Sequence, residues 1–259
     1  MWNESEWFAQ RCSRGFYRDA PLLGKSGTEV LISVNGQRQA TLTEREQSLQ
    51  ELTSSIVAGK TDEGKQRAYA ALAKGNTNGE VLDAIVEAAN IVSDLHEVGQ
   101  YDEEKISAVE NAVAACLQIL EEWLTKSEGK FGLKVTVGPV GLKSGVLMSV
   151  ALSASLRSVG FHSTSLSKTQ TALDLLRNSE ELDADLVIPI LSSDGDQYLR
   201  NFAEAYERGG FRNKFEVIPI APGLPDGVQT SLSFARNSGE AVSKATQWAF
   251  KNKRMKDHA

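Results

Sequence analysis

Residues 131–167 read FGLKVTVGPVGLKSGVLMSVALSASLRSVGFHSTSLS, and this stretch decides the fold. Lys134–Val137 is a short run rich in β-branched residues. A Gly/Pro-rich turn follows, then an apolar segment from about Ser144 to Ser158 long enough for a helix, then a second strand over His162–Ser167. Strand, helix, strand with so short a spacing is a βαβ unit.

The same alternation continues outward. Helix is expected over Gln170–Asn178, strand over Leu186–Leu191, helix over Gln197–Arg208 and strand over Glu216–Ile220. A short helix near Gly227–Leu232, a short strand near Ser233–Ala235 and a last helix over Gly239–Asn252 close the chain. Near-continuous apolar strands separated by helices imply a parallel sheet covered on both faces. Right-handed crossovers then give an open doubly wound sheet of about five strands. Val187-Ile-Pro-Ile190 and Val217-Ile-Pro-Ile220 put proline inside two strands, where it cannot donate to a ladder, so bulges are expected there.

Upstream, residues 43–128 carry only helical signals. Thr43-Glu-Arg-Glu46 has the pattern of a capping box ahead of Leu49, Leu52, Ile56 and Val57, and Gly59 stops that helix. Thr61 is expected to cap a second helix carrying Ala68, Tyr69, Leu72 and Ala73. Gly75–Gly79 reads as a breaker before a third helix from about Glu80 to Glu97, and a fourth begins near Asp102. Four amphipathic helices with short connections make a bundle. Ser127–Lys130 is the expected linker to an α/β domain over 131–259. Residues 1–42 read as an extension, with Val30–Val34, Asn35-Gly36 and Gln37–Leu42 as a β-hairpin.

The bulk composition excludes several functions. Net charge is −6, which disfavours a nucleic-acid surface. The basic run Lys251–Lys256 suits a helix carboxyl end. Cys12 and Cys116 have no metal-ligand spacing and fit a reducing compartment, and no apolar run spans a bilayer; a cytoplasmic protein is expected. With three histidines, one of them at the terminus, and no nucleophile–base motif, the chain reads as a carrier or sensor rather than a self-contained enzyme.

Ligands of open α/β sheets bind outside the carboxyl ends of the strands. The loop Gly138-Pro-Val-Gly-Leu-Lys-Ser-Gly145 meets a helix amino terminus there, which favours an anion beside Lys143; it serves equally as a turn capped by Ser144. Ser192-Ser193-Asp194-Gly195-Asp196 offers hydroxyls and carboxylates after the third strand, or an ordinary helix cap. His96, beside Glu97, ends the third bundle helix as a partner for its dipole, or as an imidazole facing a ligand.

A four-helix bundle followed by a doubly wound domain resembles the cobalamin-binding corrinoid proteins of methyltransferase systems over about residues 45–253. The matching pieces are Ile56-Val-Ala-Gly-Lys60, Ala70-Ala-Leu-Ala-Lys-Gly75, Leu95-His-Glu-Val-Gly99, Tyr101-Asp-Glu-Glu104, Ser158-Val-Gly-Phe161, Ala184-Asp-Leu-Val187 and Glu240-Ala-Val242. The resemblance implies a flavodoxin-like sheet domain, a cobalamin cofactor and methyltransferase partner proteins, and it is compatible with assembly into homo-oligomers. It places the cofactor against Gly138, Gly141, Leu142, Lys143, Ser144, Gly145, Ser192, Ser193, Ala221 and Gly223, with His96 within reach of the opposite face. The family's Asp-x-His-x-x-Gly motif, whose histidine ligates cobalt from below, is absent. If Gly145 is its glycine, Val140 stands at the aspartate position and Leu142 at the histidine position. Ala221-Pro-Gly223 replaces a Gly-Gly pair. Three readings follow: a corrinoid carrier that binds without a lower-axial histidine; a sensor of cobalamin, haem or another tetrapyrrole; or an interaction subunit that has lost the ligand.

Overall fold

The computed structural model describes residues 31–142, 145–191, 195–222 and 232–256, with side chains from Glu44 onward except 195, 196 and 253–256. Four helices come first: α1 (Leu31–Val57), α2 (Thr61–Ala73), α3 (Asn78–Glu97) and α4 (Glu103–Ser127). The sheet half follows as β1 (Lys134–Val140), α5 (Gly145–Val159), β2 (His162–Ser165), α6 (Ala172–Glu181), β3 (Leu186–Leu191), α7 (Gly195–Arg208), β4 (Glu216–Val217) and α8 (Ser238–Lys256). Leu42–Ala259 folds as one compact unit, so bundle and sheet share an interface.

The expected hairpin is wrong. Asn35-Gly36 lies inside α1, which also runs straight through Thr43-Glu-Arg-Glu46, so that capping pattern starts no helix. A glycine inside a helix costs about 1 kcal/mol relative to alanine, which a 27-residue helix absorbs. A hairpin with no third strand is by contrast marginal in water. The second helix is also entered differently: Lys60, not Thr61, is its N-cap, and it makes no side-chain capping bond. The third has a reciprocal cap that the sequence reading passed over. Thr77 Oγ1 accepts from the Glu80 amide at 3.2 Å, and Glu80 Oε2 accepts from the Thr77 amide at 2.7 Å. Asp102 caps α4 by accepting from the Lys105 amide at 2.9 Å. Val81, Ile85, Ala89 and Val92 on α3 and Val109, Val113, Cys116 and Leu120 on α4 are buried; of the stripe expected on α2, Ala68 is buried and Leu72 half-buried, while Tyr69 and Ala73 are exposed.

The sheet order is β2-β1-β3-β4, all parallel. A fifth position is present as a single parallel bridge, Ile220 to Ala235. Side chains alternate between faces with a period of two. Val135, Val137, Leu186, Ile188 and Ile190 pack on one face with Leu152 and Leu156 of α5 and Ala241, Ala245 and Ala249 of α8. Val140, Val187 and Leu191 pack on the other with Leu175 and Leu176 of α6 and Leu199 and Phe202 of α7. That is a doubly wound sheet of flavodoxin-like order.

No bulge accompanies the prolines; the pairing from Val135–Leu186 to Val140–Leu191 is continuous. In parallel strands the N and C=O of one residue point to the same side. The Pro189 carbonyl accepts from Ile220 N at 2.8 Å, so its ring nitrogen faces β4, whose regular ladder stops at Val217. The Pro219 carbonyl accepts from Ala235 N at 2.7 Å, facing the one-bridge fifth position. Pro139 faces β2 beyond its last paired residue, Ser165. Each missing donor falls where the ladder has already thinned.

Helix α5 is held between sheet and bundle. Leu147, Ala151 and Ala154 are buried without belonging to the sheet-side cluster, and α3 and α4 pack against this helix. Its buried serines are bonded: Ser149 Oγ donates to Val146 O at 2.9 Å and Ser153 Oγ to Ser163 O at 3.2 Å. At its carboxyl end Arg157 forks onto Glu121 of α4, at 2.7 and 3.1 Å, and reaches Glu128 at 2.8 Å. At the other end of the interface Asn90 of α3 donates to Ser238 at the start of α8, at 3.3 Å.

Candidate ligand site at the strand tips

The chain leaves β1 through α5 on one face to β2, and returns through α6 on the other face to β3. The winding therefore reverses between β1 and β3, and the crevice outside their carboxyl ends is where such a sheet takes a ligand. Gly138, Gly141, Leu142 and Gly145 come together there, at the tip of β1, with Ala221 two strands away beyond β3. Lys143, Ser144, Ser192, Ser193, Asp194 and Gly223 lie outside the described residues.

The glycines at this tip admit the chain's own side chains. A Cβ on Gly138 would lie 2.7 Å from Leu175 Cδ1 and 3.3 Å from Leu166 Cδ1. On Gly141, whose φ is +71°, it would lie 2.6 Å from Tyr198 Cε1. On Gly145 it would lie 2.6 Å from Pro139 Cβ. Close approach is thus required at all three, as glycine permits, and protein atoms fill the space.

The backbone here is also engaged. Gly141 N donates to Gln170 O at 3.3 Å, Gln170 N donates to Pro139 O at 2.8 Å, and Thr169 Oγ1 donates to Leu142 O at 3.1 Å. Leu142 is 8 % exposed and belongs to the sheet-side cluster; Val140 is buried in the opposite cluster. Ala221 is buried, its amide bonded to Ala235 O at 2.9 Å. Thr169 lies in the loop Ser167–Thr169, which the sequence already puts at the strand tips; Tyr198 and Gln170 are the residues sequence reading missed. The available signal was Tyr198 beside Leu199 and Phe202, on the sheet-facing stripe of α7.

His96 stands in the last turn of α3. Its Nδ1 is 2.9 Å from Tyr101 O, and the Tyr101 hydroxyl donates to Val57 O at 2.9 Å, tying the end of α1 to the α3–α4 turn. The imidazole thus has a structural partner. Among the described residues no cluster of His, Cys, Asp or Glu could hold a metal ion, and no helix is long and apolar enough to cross a membrane. At the tip of β1, Val140 and Leu142 offer only buried aliphatic groups.

The fold defines a class: a helical bundle followed by a doubly wound, parallel, flavodoxin-like domain. No family model matches the sequence, and no curated protein matches it. Solved structures do. The monomethylamine corrinoid protein of Methanosarcina barkeri is similar at 14 % identity and a TM-score of 0.55, over 78 % of this chain and 98 % of that one. A cobalamin-binding protein from Desulfitobacterium hafniense DCB-2 shares 14 % identity over 77 % of this chain and 98 % of that one, with a TM-score of 0.42. The methanol:cobalamin methyltransferase complex of Methanosarcina barkeri shares 12 % identity over 78 % of this chain and 80 % of that one, with a TM-score of 0.39. At these identities the likeness is one of fold, and the first comparison carries it.

Proposed function

We propose that this chain is a corrinoid-binding carrier subunit that presents its cofactor to partner methyltransferases, and that it holds the corrinoid without a protein histidine beneath cobalt. The observation that carries the reading is the order of the whole architecture. This chain, a bundle followed by a doubly wound sheet, aligns over 98 % of a solved corrinoid protein. The reading without a lower histidine is supported by the buried aliphatic side chains of Val140 and Leu142.

A second reading has its own support. The filled space over Gly138, Gly141 and Gly145 suits an interaction subunit that keeps the fold and takes no macrocycle. One experiment separates the two. The purified full chain is mixed with hydroxocobalamin, and with haem as the competing tetrapyrrole, then passed through a desalting column. Visible corrinoid bands that co-elute in about one-to-one ratio support the carrier. A Soret band points to the sensor alternative, and a colourless protein after both additions leaves the interaction subunit.

A further inference from the structure

Helix α2 buries one side and shows the other to solvent. Gly64, Ala68 and Ala71 are buried, and Gly64 approaches Cys116 of α4. Asp62, Gln66, Tyr69 and Ala73 are exposed, Tyr69 by 59 %. Steps of four, three and four residues bring these positions back to one line along the helix, as in the seam of a coiled coil. An exposed tyrosine with Ala73 one turn on and the half-buried Ala70 beside it suits close approach by a second helix.

The charges on this helix complement themselves when it is reversed. Asp62 and Glu63 stand in its first turn, and Lys74 is its C-cap. Glu63 pairs with Lys60 at 3.0 Å, and Arg67 pairs with Glu51 at 2.6 Å. Among the described residues, Asp62 and Lys74 have no ion-pair partner. From 62 to 74 is twelve positions, about 18 Å of helix. Two copies of α2 laid antiparallel bring Asp62 of each to Lys74 of the other, and Gln66 of each to Tyr69 of the other. Laid parallel they would set like charges together, which is costly. An unlike partner would have to supply both charges at that spacing, whereas a second copy carries them already.

We propose that α2 is a self-association surface, on which two copies of this chain pair antiparallel about a two-fold axis along Asp62, Gln66, Tyr69 and Ala73. Each surface is then used once and the assembly closes at the dimer. One pair of 13-residue helices buries less than the roughly 1,200 Å² of a stable complex, so the dimer is weak and exchanging. The proposal is independent of what the strand tips hold.

The test is sedimentation equilibrium of the full chain at low salt, from about 10 μM to about 1 mM. A monomer–dimer equilibrium is expected. Tyr69→Asp should abolish it with the circular dichroism spectrum unchanged, because the side chain is mostly exposed. Asp62→Lys and Lys74→Glu should each weaken pairing at least about fivefold. Mixing these two single variants should restore dimers, and so should the double variant, because every lysine again faces an acid. A chain that stays monomeric throughout overturns the proposal and leaves this face to an unlike partner. Growth beyond the dimer overturns it, and so do dimers indifferent to Tyr69→Asp, which would form through another surface. Failure of both the mixture and the double variant to recover dimers would overturn the antiparallel pairing. Corrinoid uptake is read separately, so either result leaves the carrier reading to its own experiment.

Discussion

The ring of Tyr198 lies against Gly141 so closely that a Cβ on the glycine would sit 2.6 Å from Cε1 and 3.1 Å from Cζ. Gly141 also has a φ of +71°, a conformation L side chains rarely adopt. Gly141→Ala is expected to lose about 2–4 kcal/mol, from left-handed strain together with overpacking. Adding Tyr198→Ala should return the overpacking share and leave the strain. Denaturant unfolding of the two single variants and the double variant measures the coupling. Simple additivity would show that the contact does not exist.

Arg157 joins the bundle to the sheet half. Its guanidinium is bonded to both Glu121 and Glu128, and its side chain is only 20 % exposed. Arg157→Ala is expected to cost about 1–2 kcal/mol, above an isolated surface pair because the contact is forked and partly desolvated. The bond from Arg157 holds the Glu121 carboxyl below its ordinary value of 4.5, against a smaller opposing effect of burial. A carboxylate depressed in the folded state adds stability that is full above its unfolded value and is lost as pH falls through the folded one. The gap between wild type and variant should therefore be constant near neutrality and shrink below about pH 4.5. A gap that grows on acidification would contradict the pairing.

Much of this fold could be read from the chain because local signals and tertiary packing agree. Leu186–Leu191 is a six-residue apolar run and is buried throughout. Asp102 caps α4 as its side chain suggests. The failures are places where a local signal competes with something longer. Asn35-Gly36 is strong turn chemistry, yet a continuous helix takes it in. Gly75–Gly79 reads as a breaker, and it both ends α2 and carries the Thr77 cap of α3. At the strand tips, glycine signals close approach without saying of what. That Tyr198, 57 positions on, fills the space is a tertiary fact no spacing rule encodes.

Two bundle glycines make a contrasting pair. Gly59 has a φ of +70°, and a Cβ there would sit 2.9 Å from Ala108 Cβ. Gly64 lies in α2 without such a φ, and its nearest neighbours would be Cys116 Sγ at 3.4 Å and Ile56 Cγ1 at 3.6 Å, ordinary contact distances. Gly59→Ala is expected to destabilise by about 1–3 kcal/mol. Gly64→Ala should be neutral or stabilising by up to about 1 kcal/mol, since helix propensity improves and no atom must move far. Thermal unfolding should show a lowered midpoint for Gly59→Ala and an unchanged or raised one for Gly64→Ala. A large loss at Gly64 would mean α2 packs on α4 more tightly than these distances imply.

Cys116 reports on that same packing. It is fully buried, and burial pushes its thiol up to about 11, only partly countered by the Lys65 charge. The thiolate is the reactive form, so at pH 8 about one molecule in a thousand would carry it, against about a quarter for a free thiol near 8.5. In a Cys12→Ser background, an aromatic disulfide reagent at pH 8 should modify the folded chain at least about 100-fold more slowly than the denatured chain. The residual rate should rise with denaturant as α2 lifts from α4, because a Cβ on Gly64 of α2 would lie 3.4 Å from Cys116 Sγ. Modification as fast as in the unfolded chain would mean that α2 does not stay docked on α4, and the four-helix packing described here would be wrong at that seam.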